Sequence, residues 1–416
     1  MGGVNRANGG TGTGAGLRGG GGGANLLALR SHNTALVLDL LRTAGSDGIS
    51  RLELAERTGL TPQAVSKITT RLRDDGLAAE AGRRASTGGK PRTVLRLVPE
   101  AGHAVGVHLD RDELRVVLAD LRGAVVGERR TPVDLGAGAD AVLGAVTAEV
   151  GRVLPGTGPG PGASPEPGTG PGPGASPEPG TGPGPGASPG PGPGARAGAL
   201  LGVGVALPGP LDHARGVLHR VTGFPEWDGF PLRAALAGRL GVPVTVDKDT
   251  NAAALGLAAG GEAGSFAYLH LGTGLGAGLV IGGSVHRGAR TGAGEFGHQV
   301  IRLDGPPCTC GDRGCLEALC LGAVARGDVA EAARVLGAGA ANLVGLLDID
   351  VVLLGGRTVA AAPEAFVRGV GSVLRERARR TGQDAVPVRV AAGGPRVVAV
   401  GAAESVLGPV FGRGGG

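Results

Sequence analysis

The sequence has 416 residues, which is long enough for two or three domains with a sizeable buried core. Its net charge of +5 is unevenly placed: residues 24–100 carry 12 Lys and Arg against 8 Asp and Glu, whereas residues 101–416 carry 27 against 28. A basic head on a nearly neutral body indicates nucleic acid as the partner of the head. The sequence lacks a run of about 18 uncharged apolar residues and an apolar signal core, so we expect a cytoplasmic protein without a membrane partner.

The first hundred residues predict a glycine-rich tail and a small helical domain. Residues 1–24 have no apolar periodicity and are expected to be disordered. In residues 25–100, a first amphipathic helix ends near Gly45, and Ser50 and Glu53 have the spacing of a capping box that opens a second helix. Thr61 followed by Pro62 predicts the start of a third helix, which Gly76 ends. With a hairpin after them, these helices predict a winged helix-turn-helix DNA-binding domain.

The candidate DNA contacts lie on the third helix and on the hairpin. Polar residues that face outward from the third helix can reach base edges, and basic residues of the hairpin can lie along phosphates or in a minor groove. The candidates are Gln63, Ser66, Lys67, Thr70 and Arg71 on the helix and Arg83, Arg84, Lys90 and Arg92 on the hairpin. The alternative is that the hairpin is only a solvated connection to the next domain.

The body begins with β-rich sequence and is then interrupted. Residues 105–110, 114–120 and 124–127 predict three consecutive strands, and residues 139–154 predict a helix. Residues 155–195 contain three copies of a twelve-residue unit rich in glycine and proline, so we expect a low-complexity loop without chemistry of its own.

Two later segments carry polar residues next to apolar strands. The strand at 242–246 runs into Asp249, at a strand-to-helix junction where a carboxylate can serve as a helix N-cap. Glycines alternate in residues 271–278, which fits either a phosphate loop or a tight hairpin turn, and we favour the turn. A final helix is predicted at about 402–407.

Three cysteines and a histidine lie within eighteen residues. His298, Cys308, Cys310 and Cys315 provide the thiolate and imidazole donors that suit tetrahedral Zn²⁺, with Gly311 and Gly314 permitting the tight turns between them. Cys320, the fourth cysteine of the chain, is expected to be a buried thiol on the following helix. The sequence therefore predicts a closed structural zinc site.

The stretch Gly-Glu-Phe-Gly-His at 294–298, followed by Cys-Thr-Cys-Gly-Asp-Arg-Gly-Cys-Leu-Glu at 308–317, resembles the signature of the ROK family of repressors, uncharacterised reading frames and sugar kinases. The resemblance implies an α/β fold: a two-lobed, actin-like (ribonuclease H-like) ATPase-fold domain with a zinc knuckle, over 101–411. One lobe would comprise about 101–250 and 400–411, and the other about 251–399. It also implies a sugar site formed by Asp249, Glu295, His298 and Glu317, with Asp249 at the position of the kinase base. The head resembles those of ROK repressors, which the family's free-standing kinases lack.

The sequence departs from the kinase pattern at three places. His108, Asp110, Arg111 and Asp112 stand where the family has the Asp, Gly, Gly and Thr of a phosphate loop, and acids there would repel a nucleotide. Lys248 replaces a sugar-binding Asn. Only 24 residues, 318–341, follow Glu317 before the next matching segment, which indicates missing helices.

These features predict a sugar-responsive regulator, most simply a repressor, that binds an operator as a homodimer and does not phosphorylate its sugar. Sugar binding would shift the population between forms of different DNA affinity. Two alternatives stay open. One is an ATP-dependent ROK sugar kinase with an accessory head, and the other is a DNA-binding protein whose ROK body has lost its ligand.

Overall fold

A computed structural model describes residues 32–84, 92–155, 198–219 and 224–413. The predicted tail at 1–24, Lys90 and residues 156–195 of the low-complexity tract lie outside the described residues. For Arg83 and Arg84 only the strand on which they lie is described.

The described part of the head contains three helices and a three-stranded sheet. Ser50 Oγ accepts the Glu53 N–H at 3.2 Å and Glu53 Oε2 accepts the Ser50 N–H at 2.8 Å, which confirms the capping box. The third helix begins at Pro62 with Thr61 as its N-cap, as predicted. The sheet has the order β1-β3-β2. The elements are α1 (His32–Ala44), β1 (Ile49–Ser50), α2 (Arg51–Thr58), α3 (Pro62–Asp74), β2 (Ala78–Arg84) and β3 (Arg92–Leu97).

The first lobe is built on a five-stranded mixed sheet with the order β10-β7-β4-β5-β6. Strand β4 pairs in parallel with β7 and antiparallel with β5, and the parallel β7–β10 pair completes the sheet. Its elements are β4 (Gly102–Leu109), β5 (Glu113–Asp120), β6 (Val125–Pro132), α4 (Ala139–Val153), β7 (Ala199–Leu207), β8 (Leu211–Asp212), β9 (Val217–Leu218), α5 (Leu232–Leu240) and β10 (Val244–Lys248).

The second lobe repeats this arrangement. Its sheet has the order β13-β12-β11-β14-β15, with antiparallel pairing on the β12 side and parallel pairing on the β14 side. The same strand order occurs in both lobes, which is the two-lobed α/β organisation that the sequence predicted. Its elements are α6 (Asp249–Ala259), β11 (Phe266–Leu271), β12 (Leu275–Ile281), β13 (Ser284–Val285), α7 (Leu316–Ala325), α8 (Val329–Leu347), β14 (Val351–Gly355), α9 (Arg357–Ala361), α10 (Pro363–Thr381) and β15 (Val388–Val390).

The last helix, α11 (Val397–Leu407), returns to the first lobe and begins five residues earlier than predicted. Its first turn contains Val397, Val398 and Val400, which have low intrinsic helix propensity. Val397 and Val398 are nevertheless buried, with α11 packed between the first sheet and α6. Tertiary packing here overrides propensity.

Helix α8 is long and apolar enough to cross a membrane by length and composition alone. Half of its apolar window is buried inside the protein, where α8 packs against α7 and α10. Its hydrophobicity is therefore explained by its place in the core of the second lobe.

Candidate ligand and metal sites

His298 and three cysteines come together in a loop between a short 3₁₀ turn (Phe296–His298) and α7. The donor atoms of His298, Cys308, Cys310 and Cys315 all lie within 4.8 Å of one another. Cys310 Sγ lies 3.7 Å from Cys315 Sγ, and Cys308 Sγ lies 3.7 Å from His298 Nδ1. A tetrahedron with Zn–S bonds of about 2.3 Å has edges of about 3.8 Å, so the spacing of these donors fits a zinc ion.

The backbone of the loop explains why these cysteines converge. The Cys308 N–H donates to Asp312 O at 2.8 Å, and the Gly311 N–H donates to Cys308 O at 3.0 Å, which closes a tight turn. Gly314 has a φ of +66°, and a Cβ there would stand 1.6 Å from Arg302 O. Only glycine fits this crossing, since any side chain would push the loop off the 302 segment.

The thiols differ in their surroundings. The backbone N–H of Asp312 lowers the pKa of the exposed Cys310 thiol, whereas burial raises the pKa of Cys315 to about 12. Cys320 lies apart from the cluster on α7, fully buried, with its Sγ 3.6 Å from Ala332 O. Burial raises the pKa of Cys320 to about 12, so it is an inert core thiol, as the sequence indicated.

A polar cleft lies beside the cysteine cluster, between the two lobes. It has a volume of about 100 Å³, and the four residues proposed from the family resemblance, Asp249, Glu295, His298 and Glu317, all line it. Several other residues that line the cleft were not predicted as ligand contacts from the sequence, namely Asp110, Arg111, Thr250, His270 and Thr273. His270 is an isolated histidine in the otherwise apolar β11, a weak signal that sequence alone leaves ambiguous.

Asp249 is the first residue of α6, and Lys248 occupies the N-cap position, so the alternative of Asp249 as N-cap is not what the structure has. Asp249 Oδ1 accepts the N–H of Thr250 at 2.6 Å. Burial raises the pKa of the Asp249 carboxyl, and the nearby His270 partly opposes this. The group is a carboxyl whose neutral form is favoured more than in water.

The junction before Asp249 is fixed by Asp247. Its carboxylate accepts hydrogen bonds from Asn251 Nδ2 at 3.0 Å and from Arg287 Nε at 2.9 Å. All three side chains are buried. Charge-assisted hydrogen bonds of this kind hold the strand-to-helix turn and the carboxyl of Asp249 in place.

Glu295 and Glu317 are each held by a neighbouring donor. The Lys248 ammonium, almost fully buried, donates to Glu295 Oε1 at 2.8 Å and to Ala293 O at 2.7 Å. Glu317 Oε2 accepts the Leu275 N–H at 2.8 Å. Lys248 thus places a cation against the carboxylate of Glu295. The carboxylate of Glu317 is positioned by the glycine-rich 271–278 segment, which is a hairpin turn between β11 and β12.

Arg357 bridges the two lobes at the edge of this cleft. It makes two hydrogen bonds with Asp112, at 2.7 and 2.8 Å, and one with Asp110 Oδ2 at 2.9 Å. Its hydrogen bonds lower the pKa of Asp112, and those carboxylates raise the pKa of Arg357. This contact could not be predicted from local sequence, because Arg357 is 245 residues from Asp112 and 247 residues from Asp110 along the chain.

Behind Arg357 lies a second interlobe cavity of about 370 Å³, lined by His108, Asp110, Tyr268, His270 and Val359 among others. His108 is buried, and its Nε2 has no hydrogen-bond partner among the described residues. Burial lowers the pKa of His108 to about 4, so its imidazole is neutral near pH 7.

The candidate DNA contacts of the head form an exposed face. Gln63, Ser66, Lys67, Thr70 and Arg71 are all exposed on α3. The opposite face of α3 is buried through Val65, Thr69 and Leu72. Arg92 is exposed, and the β2–β3 pairing sets Arg84 opposite Arg92 at the end of the hairpin.

Comparison with known families and proteins agrees with both halves of this structure. The winged helix-turn-helix DNA-binding family matches residues 38–78, and the ROK family matches residues 194–327. One chain thus combines a match to the winged helix-turn-helix family near its start with a match to the ROK family further along.

The similar proteins include ROK regulators and ROK kinases. A Caldicellulosiruptor protein named as a candidate xylose repressor is 25% identical over 86% of this chain and 92% of its own length. The xylose repressor of Bacillus subtilis is 26% identical over 65% of this chain, but the match covers only 61% of that protein, less than two thirds. A Thermotoga maritima glucokinase is 42% identical over a shorter stretch, 28% of this chain and 38% of the kinase.

Among solved structures, a ROK family transcriptional regulator described as a homologue of the Escherichia coli MLC protein has a TM-score of 0.66. The match covers 92% of this chain and 97% of the regulator, at 19% sequence identity. At that identity the likeness shows the fold, which includes head and ROK domain together.

Proposed function

We propose that this ROK protein is a sugar-responsive transcriptional repressor. The proposal rests on the combination of two features in one chain. Helix α3 has an exposed polar face, and the interlobe cleft is lined by Asp249, Glu295, His298 and Glu317. Carboxylates and an imidazole around a small cleft are suited to the hydroxyl groups of a monosaccharide or small glycoside. The names of the similar repressors are consistent with a sugar as effector.

The proposed zinc is structural. His298, Cys308, Cys310 and Cys315 would hold it as a closed set of four ligands, and the ion would supply a rigid support and no open coordination position. His298 Nδ1 lies 3.7 Å from Cys308 Sγ, so the same ring can present its other nitrogen to the cleft. Zinc would therefore fix the orientation of a sugar contact.

We propose further that the protein does not phosphorylate its sugar. Asp110 and Asp112 occupy the turn after β4 where the family's kinases are expected to bind phosphates, and Arg357 is already paired with both. Two carboxylates repel a nucleotide, and a paired guanidinium is not free to attract one. Asp249 would then accept a hydrogen bond from the sugar without acting as a base.

An ATP-dependent sugar kinase is the second candidate, because the glucokinase match at 42% identity is the highest identity among the relatives described above. It predicts formation of ADP that depends on sugar and magnesium and is abolished by Asp249→Asn. A body that has lost its ligand is the third candidate, and it predicts that sugars leave thermal unfolding unchanged. We place the repressor in the cytoplasm as a homodimer, since paired half-sites are the usual targets of such heads.

The test measures the affinity of the purified protein for a duplex from the region upstream of its own coding sequence at fixed salt. Xylose, glucose and N-acetylglucosamine are added one at a time, and ADP formation is followed in parallel. We expect one sugar to lower operator affinity several-fold without ADP being formed. Sugar-dependent ADP formation, or operator affinity that no sugar changes, would contradict the proposal.

A further inference from the structure

The head and the first lobe share one hydrophobic core. Val37, Leu38 and Leu41 of α1 belong to the same buried cluster as Ala403 and Leu407 of α11. Phe411, four residues after α11, belongs to that cluster as well. The head is therefore packed against the first lobe at α11 and at the 3₁₀ turn Gly408–Phe411 that follows it.

A buried ion pair joins the same two helices. Arg42 of α1 donates from Nη1 to Glu404 Oε1 at 2.9 Å and from Nη2 to Glu404 Oε2 at 2.8 Å. The side chains are only 8% and 6% exposed, and the guanidinium also donates to Arg122 O and lies 4.6 Å from the centre of the Phe411 ring. A bidentate pair of this kind fixes both the distance and the angle between α1 and α11.

At its other side, α11 touches α6 backbone to backbone. A Cβ on Gly401 would stand 1.6 Å from Ala252 O, and one on Gly256 would stand 3.0 Å from Gly401 Cα. On the first sheet, a Cβ on Gly106 would stand 1.8 Å from Ala399 O, and one on Gly204 would stand 1.8 Å from Ala402 O. Because the backbones of α6 and α11 are in direct contact, no side-chain rotation can absorb a displacement of α6, and α11 must move with it.

Helix α6 begins inside the cleft. Asp249 and Thr250 line the cleft, and Ala252 and Gly256, which meet α11, follow one and two turns later. Thr250 O is also pressed against β12 of the second lobe, where a Cβ on Gly278 would stand 2.1 Å away. A sugar that draws the lobes together at Asp249 therefore acts directly on the N-terminus of α6.

We propose that α6, α11 and the Arg42–Glu404 pair form the mechanical connection by which sugar binding changes the DNA affinity of the head. This inference rests on the proposed function, since it assigns the route by which the effector acts. Arg42 and Glu404 are positioning residues: neither lines the cleft, and neither lies on the outward face of α3. Their removal should uncouple the two activities without removing either.

The test compares the wild-type chain with the double variant Arg42→Met, Glu404→Gln. Removing both partners avoids leaving one buried charge unpaired. For each protein, thermal unfolding establishes that it folds, calorimetry gives the affinity for xylose, glucose and N-acetylglucosamine, and a duplex from upstream of its own gene gives operator affinity with and without the sugar that binds. The control is Arg389→Met, Glu262→Gln, which removes an ion pair between β15 and the loop after α6, away from the head.

We expect the wild-type chain and the control to show the same several-fold change of operator affinity with sugar. The double variant should bind sugar and operator within about three-fold of wild type, while the ratio of operator affinities with and without sugar falls to nearly 1. A structural role alone would lower stability and leave that ratio unchanged, which would overturn the inference. If the double variant does not fold, Arg42→Lys, which keeps the charge and loses the bidentate geometry, must reduce the ratio or the inference fails. A wild-type ratio of 1 with every sugar would instead overturn the proposed function, and this inference with it.

Discussion

At the scale of single residues, the cleft contains groups whose protonation is set by burial. Asp249 is the clearest example, because burial raises the pKa of its carboxyl although a ligand-binding carboxylate is most useful when ionised. An ionised Asp249 therefore lowers the stability of the folded protein, a cost that is common at functional sites. Burial likewise lowers the pKa of His108 in the adjoining cavity and keeps its imidazole neutral near pH 7.

Asp249→Asn should abolish detectable sugar binding and at the same time stabilise the protein at neutral pH. Because the pKa is raised on folding, the ionised carboxyl destabilises the folded state above that pKa, and the effect disappears below the ordinary value of 3.8. Calorimetry with sugars and thermal unfolding at pH 7 and pH 3.5 would measure both effects. If the Asp249→Asn variant binds sugar as tightly as wild type, Asp249 is not part of the site.

His108→Gln should flatten the acid side of the stability profile. His108 has a pKa of about 4 in the folded protein and 6.5 when unfolded, so the unfolded state binds more protons between these values. Wild-type stability should fall by on the order of 3 kcal/mol from this residue as pH decreases from 6.5 to 4. Denaturant unfolding of both proteins across this range measures the difference, and parallel profiles would show that His108 is not the responsible group.

At the scale of elements, local sequence signals were the most informative. The capping box of α2 and the N-cap of α3 agree with the sequence prediction, because each involves atoms only a few residues apart. The structure also brings His298 and the three cysteines together, as their spacing within eighteen residues indicated. The beginning of α11 was missed, since a run of valines there is helical only through burial. The contacts Arg357–Asp112 and Arg42–Glu404 were not predictable, because no local pattern announces them. The partners are 245 residues apart in the first pair and 362 residues apart in the second.

Cys310→Ser should reduce bound zinc from one ion per chain to nearly none and lower stability by more than about 2 kcal/mol, because the loop loses a ligand. Cys320→Ser is the matched control, since it alters a buried thiol outside the cluster and should keep full zinc content. Elemental analysis of both purified proteins decides the question. Equal zinc content in the two variants would refute the assigned ligand set.

Lys67→Ala on α3 should weaken operator binding at every sequence tested and reduce the slope of log affinity against log salt by about 1, as expected for a lost phosphate contact. Arg368→Ala is the control, since Arg368 is an exposed cation on α10 in the second lobe. Fluorescence anisotropy at several salt concentrations measures both slopes. An unchanged slope for the Lys67 variant would show that Lys67 does not contact a DNA phosphate.

At the scale of the whole molecule, two contacts join parts of the chain that must move together. The Arg357 bridge holds the lobes near each other on one side of the cleft, and the shared core of α1 and α11 holds the head on the body. A sugar that binds the closed form more tightly would shift the population of both arrangements at once. The coupling between cleft and head is therefore best measured with sugar and operator DNA present together.

Arg357→Met should lower sugar affinity by about three- to ten-fold, because the open cleft becomes more populated and the sugar must supply the energy of closure. Methionine keeps an apolar stem and removes the pairing with Asp110 and Asp112. Calorimetric titration measures the loss, with Arg389→Met as the control within the second lobe. Equal affinities for the wild-type chain and the Arg357 variant would show that the bridge does not bias closure.

The most direct measurement is the affinity for the effective sugar, determined by calorimetry on the same protein with and without saturating operator DNA. Linkage requires that DNA change the sugar affinity by the factor by which sugar changes the DNA affinity. The account predicts that sugar binds several-fold more weakly to the operator complex than to the free protein. Identical sugar affinities in the two titrations would contradict it, since the cleft and the head would then be independent.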